Sequence, residues 1–366
     1  MALFTFKNIK ISGMATAIPK IIIRPDDFKK QFGEEEVEKF KQMTGIIESR
    51  RTDPHQTAGD LCYTAAEYLL KEKGINKSEI GALVMSTQSP DYRRPSTSFI
   101  IHKRMGLSEE AAVFDINLGC SSILYGIQVV ASIMVNSDIK KAILVSGDTS
   151  SKITNPHDKS KIMLGGEAGV AILLEKTEEE GSNILSLVRS NGEGYRYLIT
   201  PAGGFRNMNP PREEVMCKDG IMRTLYDPFM MGTSVFTFTV FDVPKVMKDF
   251  FKLTNTSVDD YDCFAFHQAN LYILKQIGKK MKIPVEKMPL TLPTYGNTSG
   301  ASPIVTLCDT YGHNKENKDL NVLLIAFGIG LSWGCTSFHI NTADILPVIE
   351  DDTWFEEGLI NSPAEL

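Results

Sequence analysis

Apolar positions along the chain follow two periods. Short apolar runs at 6–12, 82–86, 113–116, 142–146, 169–174, 262–266, 322–327 and 335–340 read as strands, and a further strand is expected around 290–292. Between them lie helical stripes. Residues 26–43 are charged and helical in pattern, ending near Thr44-Gly45. Residues 57–73 set Ala58, Leu61, Ala65, Tyr68 and Leu69 on one side, and Gly74 closes that helix. Further helices are expected at 96–105, 234–251, 269–281 and from Ser302. Within 113–130, V-F-D-I-N-L-G-C-S-S-I-L-Y-G-I-Q-V-V, a strand ends, Gly119 allows a sharp turn and Cys120 opens a helix. The stripe Ile123, Leu124, Ile127, Val130, Ala131 and Met134 follows. Strands alternating with helices predict an α/β layered fold.

The charge run E-K-T-E-E-E-G at 175–181 marks a joint, and the chain divides into halves at 1–178 and 179–366. In each half an apolar strand passes through a small-residue turn into a helix: D-I-N-L-G-C-S-S in the first, L-P-T-Y-G-N-T-S-G-A-S in the second. This echo suggests an internal duplication. Residues 195–232, rich in Gly, Pro, Met and Arg, read as an extended excursion rather than sheet. The acidic tail from Asn341 reads as wrapped or partly disordered.

Composition narrows the picture. At 366 residues the chain suits two domains or fused halves. A 42% hydrophobic and 23% charged make-up is ordinary for a soluble protein. The formal net charge of -6 argues against a general nucleic-acid binder. No apolar run approaches a membrane span, and the N-terminus lacks signal-peptide regions, so a cytoplasmic protein is expected. The six cysteines are scattered without a C-x-x-C pair, which suggests neither zinc nor a disulfide framework.

Cys120 is the first candidate for chemistry. A thiol at a helix start faces unpaired N–H groups and the positive end of the macrodipole, which lowers its pKa and makes a nucleophile. It is equally read as a small buried core residue. His267, in F-A-F-H-Q-A-N after a buried strand, and Asn297, in Y-G-N-T-S-G-A-S, read in isolation as a core histidine and a turn. Placed at strand ends of a layered α/β sheet, the three side chains would converge on one crevice. A Cys–His–Asn set also suggests a cysteine protease, but the surrounding motifs do not match one.

The chain resembles the β-ketoacyl-acyl-carrier-protein synthase III enzymes of the thiolase superfamily. The resemblance covers nearly all of it. The motifs are S-P-D-Y-R-R-P-S-T (89–97), D-I-N-L-G-C-S-S (115–122), L-V-S-G-D (144–148), G-G-E-A-G (165–169), F-H-Q-A-N (266–270), Y-G-N-T-S-G-A-S (295–302) and A-F-G-I-G-L-S-W-G (326–334). It implies a thiolase-like fold, two similar halves forming a five-layered α-β-α-β-α sandwich. It implies an acyltransferase with Cys120, His267 and Asn297 as catalytic residues. Cys120 takes an acyl group from a thioester; an oxyanion hole from the N–H of Cys120 and of Ile329 stabilises the tetrahedral intermediate. A malonyl thioester, carried by acyl carrier protein, then loses carbon dioxide and condenses to a β-ketoacyl thioester, with His267 and Asn297 donating N–H to the enolate. Arg94, Phe327 and Gly328 fall at substrate-binding positions. Lys275, Lys279 and Lys280 fall where the carrier protein docks. No metal or organic cofactor and no nucleic acid or membrane is involved, and a homodimer is expected, with the 113–117 and L-V-S-G-D strands fully buried.

The chain departs from the family pattern in ways that bear on the substrate. The Trp and Arg that clamp adenine are Lys39 and Met43 here, which favours a starter on a carrier protein over one on CoA. The usual Phe of the P-S-T loop is Arg94. The middle residue of the usual G-G-G is Ile329. The alternative is a non-decarboxylating acyltransferase of the same fold in a specialised pathway; Asn297 weighs against it.

Overall fold

The computed structural model describes residues 3–179, 182–314 and 316–365. Two sheets lie between three layers of helix. The six-stranded sheet runs in the order Ile345–Asp351, Ile9–Pro19, Ala168–Lys176, Lys141–Asp148, Ile80–Ser86, Ala112–Ile116. The five-stranded sheet runs Phe4–Lys7, Asn183–Ser190, Ser332–Asn341, Asp319–Gly328, Cys263–Phe266. The helices Ser122–Val135 and Ser302–Tyr311 fill the space between the sheets. Their apolar side chains, including Ile123, Ile127, Val130, Ile304 and Val305, form one core with strand residues of both sheets. Ala58–Lys73 and Thr97–Met105 cover the outer face of the six-stranded sheet; Gly232–Thr254 and Leu271–Met281 cover that of the five-stranded one. This is the five-layered α-β-α-β-α sandwich. Each fully buried Leu, Ile or Phe contributes roughly 1.5–3 kcal/mol, so the middle helix layer, apolar nearly all round, has its place dictated by burial.

The helix Ala58–Lys73 is bounded as its sequence implies: Thr57 and Asp60 form a capping box, and Gly74 ends it in the left-handed region. Several other expectations are corrected. The first strand is two, because Asn8 adopts φ 60° and turns the chain from one sheet into the other. The helical stretch 26–43 is interrupted at Gly33 (φ 88°), giving Lys29–Phe32 and Glu34–Thr44. No strand forms at 290–292; prolines at 289 and 293 remove ladder donors, and Leu292–Tyr295 is a short helix. The strand Asn183–Ser190 had no counterpart in the sequence reading. The tail is not simply wrapped: Ile345–Asp351 adds to the six-stranded sheet parallel to Ile9–Pro19, with the register shifting between Ile345 and Val348, around Pro347. In residues 195–232 two two-stranded ladders occur, Leu198–Ile199 with Phe229–Met230 and Val215–Met216 with Met222–Arg223. Phe4–Lys7 and Ile345–Asp351 each complete the sheet built mainly from the other part of the chain. Finally, L-V-S-G-D is buried inside its sheet, but Ala112–Ile116 is the sheet's edge and only half-buried, since it has a ladder partner on one side.

Candidate functional site

Cys120 stands in the turn between the strand Ala112–Ile116 and the helix Ser122–Val135, whose N-cap is Ser121. The Ser122 N–H donates to the Gly119 carbonyl at 2.7 Å, closing the turn. Glycine is required opposite the thiol, because a Cβ on Gly328 would collide with Cβ and Sγ of Cys120. Gly328 ends the strand Asp319–Gly328, and Ile329 follows. That turn is pinned to the nucleophile helix: Ser121 and Ser332 hydroxyls meet at 2.6 Å, and Ser332 Oγ donates to the Ile329 carbonyl at 2.7 Å. Burial pushes the Cys120 thiol above its ordinary pKa. The backbone N–H of Ile329 opposes this, Asp148 adds to it, and the Cys120 N–H and the Ser299 hydroxyl oppose it. The net direction is up. The helix start therefore does not yield a resting thiolate as expected; loss of water outweighs it.

His267 follows the strand Cys263–Phe266, and its N–H donates to the Ile325 carbonyl at 2.7 Å. Its Nδ1 lies 3.0 Å from the Ser299 carbonyl and 2.9 Å from Ser302 Oγ. A carbonyl only accepts, so Nδ1 carries the proton and the neutral ring has a lone pair on Nε2. The expectation that His267 offers an N–H to an enolate is thereby narrowed: Nε2 donates only from the charged ring. The Phe327 ring stands edge-on to the imidazole at 5.4 Å. Burial depresses the His267 pKa to about 4, against a smaller upward pull from the Ser299 carbonyl.

That depression has a testable consequence for stability. The unfolded chain binds the proton near pH 6.5 while the folded ring resists it to about pH 4. Folding stability is therefore lost as pH falls through that window, by roughly 3 kcal/mol from this residue. Urea unfolding at pH 7 and pH 4.5 should show a smaller acid loss in His267→Asn than in the parent; equal losses would contradict the buried neutral ring.

Asn297 is held by its backbone. Its N–H donates to the Leu164 carbonyl at 3.0 Å, and its own carbonyl accepts from Gly166 N at 2.9 Å. The side-chain Oδ1 accepts from the Ser299 N–H at 3.0 Å, which fixes Nδ2 as the donor end, 3.4 Å from the Ala269 carbonyl. Ser299 thus ties two of the candidates together: its carbonyl holds His267 and its N–H orients Asn297.

Phe327, Gly328 and Ile329 come together with this group. Arg94 does not: it is exposed on the surface loop before Thr97–Met105. Lys275, Lys279 and Lys280 are exposed on the helix Leu271–Met281. Lys280 Nζ donates to the Val240 carbonyl at 3.0 Å and sits 4.4 Å from the Phe241 ring centre. Among the described residues no group of His, Cys, Asp and Glu is placed to hold a metal ion, and no helix is long and apolar enough to cross a membrane. Sequence reasoning missed Ser299, Ser302 and Asp148. All three lie inside the quoted motifs, but their parts arise from contacts between distant segments.

Comparison with known proteins gives a consistent picture. Residues 114–192 match the family model described as 3-oxoacyl-[acyl-carrier-protein] synthase III, and residues 251–340 match its C-terminal model. The β-ketoacyl-[acyl-carrier-protein] synthase III of Syntrophomonas wolfei is 30% identical over 327 residues, 89% of this chain and 96% of that protein. That of Clostridium beijerinckii is 31% identical over 329 residues, covering 90% and 98%. The crystal structure of a 3-oxoacyl-(acyl-carrier protein) synthase from Burkholderia xenovorans superposes with a TM-score of 0.90 at 31% identity, covering 96% of this chain and 99% of that one.

Proposed function

This chain belongs to the 3-oxoacyl-[acyl-carrier-protein] synthase III family, and from that premise we propose that Cys120, His267 and Asn297 are its catalytic residues. The protein is a condensing acyltransferase of the β-ketoacyl synthase III type. What supports the residue assignment is one observation, the meeting of His267 and Asn297 at Ser299, whose neighbour Gly300 packs against the Gly119–Ser122 turn that carries Cys120.

In the first half-reaction Cys120 sulfur attacks the acyl thioester. The N–H groups of Cys120 and Ile329 receive the oxyanion, and the thiol proton leaves with the departing thiol. In the second, a malonyl thioester brings a carboxylate beside His267. An adjacent negative charge raises a histidine pKa, so the ring takes a proton on Nε2 while Nδ1–H stays with Ser299. Nε2–H and Asn297 Nδ2–H then donate to the thioester oxygen as the C–CO2 bond breaks. The resulting carbanion attacks the acyl carbonyl. Cys120 departs as thiolate and recovers its proton from His267. One carbon dioxide is released and one proton consumed per turnover.

The starter arrives on acyl carrier protein. Met43 is exposed, and Lys39 is paired with Glu35 at 2.8 Å, so neither supplies the stacking and bidentate contacts of a Trp–Arg clamp. The exposed Lys275, Lys279 and Lys280 offer an acidic carrier a complementary face. Acylation of Cys120 from matched thioesters should therefore show a higher kcat/KM for the carrier than for CoA. The preference should shrink with salt and in the Lys279→Glu/Lys280→Glu variant. A CoA preference indifferent to both would contradict it.

The enzyme works in the cytoplasm as a homodimer of two-part subunits divided at 178/179. The half-buried edge strand Ala112–Ile116 would be left as an open ladder in a monomer, and two-fold pairing closes it. Sedimentation at micromolar concentration should show the dimer; a 40.6 kDa species alone would contradict it.

A further inference from the structure

Ser299 is a serine in the left-handed region, at φ 52°, a conformation that costs a non-glycine residue energy unless its surroundings hold it. The carboxylate of Asp148 supplies that hold. Asp148 ends the strand Lys141–Asp148 and is buried. Its two oxygens have separate tasks. Oδ1 accepts from Gln88 N at 2.7 Å, Thr87 Oγ1 at 3.1 Å and Ser89 Oγ at 3.4 Å, which fastens the loop after the strand Ile80–Ser86. Oδ2 accepts from Ser299 Oγ at 2.7 Å. The neighbouring Gly300 lies so close to the nucleophile helix that a Cβ there would collide with Ser122 Oγ and the Gly119 carbonyl.

From this we infer that Asp148 and Ser299 form a positioning link: the carboxylate anchors the Ser299 peptide unit, whose carbonyl and N–H aim His267 and Asn297 at a reacting thioester above Cys120. His267 follows a strand of the five-stranded sheet, whereas Cys120 and Asp148 belong to strand ends of the six-stranded one. The Asp148–Ser299 hydrogen bond is a direct side-chain tie between them. His267 and Asn297 reach it through the backbone of Ser299, so loosening the hydroxyl anchor tilts both donors at once. A shift of about 1 Å in such groups can cost on the order of 10² in rate. The Cys120 backbone is fixed by its own turn and by the Ser121–Ser332 contact, and Asp148 and the Ser299 hydroxyl bear on the thiol only through its pKa, in opposite directions, so acyl loading depends on the link less than decarboxylation does.

This inference rests on the proposed decarboxylative reaction, and the test separates the two. Ser299→Gly suits the left-handed backbone without strain and removes the CH2OH group that reaches Asp148; Asp148→Asn removes the charge. For each variant, acylation of Cys120 by an acyl-carrier thioester and carbon dioxide release from malonyl-carrier thioester are measured separately. Each single change should lower kcat for decarboxylation roughly tenfold or more, with KM little changed and the loss in decarboxylation several times the change in acylation rate. The double variant should be no slower than the slower single, because both changes cut one link. Decarboxylation within about twofold of the parent in Ser299→Gly, equal losses in both half-reactions, or multiplying losses in the double variant would overturn the link. If Asp148→Asn does not fold, the half-reaction ratio in Ser299→Gly decides alone. A parent enzyme that loads acyl groups but releases no carbon dioxide would instead overturn the reaction proposed above.

Discussion

Cys120→Ala is expected to abolish acyl-enzyme formation and to lower condensation by a factor on the order of 10³ or more, since the covalent route disappears with the sulfur. The backbone N–H groups of residue 120 and Ile329 remain, but nothing is left to attack the thioester. Decarboxylation of malonyl thioester should survive, because His267 and Asn297 are untouched and are held by Ser299 rather than by the thiol. The substitution removes one half-buried sulfur and leaves the Cβ that packs against Gly328, so the fold should tolerate it. Intact mass after incubation with acyl-carrier thioester reads the result. A variant that gained the acyl mass at the parent rate would show that another residue is the nucleophile.

His267→Ala and Asn297→Ala should give the opposite pattern. Each removes one donor to the developing enolate, which should cost on the order of 10²–10³ in decarboxylation. Self-acylation should fall far less, since its oxyanion is received by backbone N–H groups. Asn297→Ala should act mainly on kcat, because the lost donor matters only as charge builds on the thioester oxygen. For His267 the pH profile adds a second readout. The free ring resists protonation to about pH 4, so decarboxylation depends on the malonyl carboxylate raising that value, and the rate should fall as pH rises above the value reached in the complex. Equal losses in both half-reactions for either variant would contradict this division of labour.

Much of the frame was legible because it is local. The apolar stripe from Ile123 to Met134 and the small-residue turn at Gly119 specify a buried helix after a strand, whatever surrounds them. The capping box at Thr57 and the left-handed Gly74 give the bounds of the helix Ala58–Lys73 directly. Other features were hidden by composition. Pro347 and the neighbouring acids mask the strand Ile345–Asp351, whose place in the six-stranded sheet depends on Ile9–Pro19, over three hundred residues earlier. The break at Asn8 was invisible in an otherwise continuous run, since a single left-handed residue leaves no mark on hydrophobic periodicity.

At the site, residue types and motifs pointed to Cys120, His267 and Asn297, but not to their protonation. Whether a thiol at a helix start is ionised depends on the balance of burial against a few N–H groups, and only the fold sets that balance. The tautomer of His267 follows from a carbonyl thirty-two residues away. Ser299 could not be picked out of G-N-T-S-G-A-S, because its part depends on an aspartate at the end of a strand 151 residues earlier.

The central claim is that carbon–carbon bond formation on Cys120 is driven by decarboxylation. The most direct test preloads Cys120 with an acyl group, removes free thioester, and adds malonyl-carrier thioester labelled in the free carboxylate. Released carbon dioxide and residual acyl-enzyme are followed together. The expected result is one carbon dioxide for each acyl group leaving Cys120, with a β-ketoacyl thioester as product. Acyl groups leaving Cys120 without matching carbon dioxide would contradict the account.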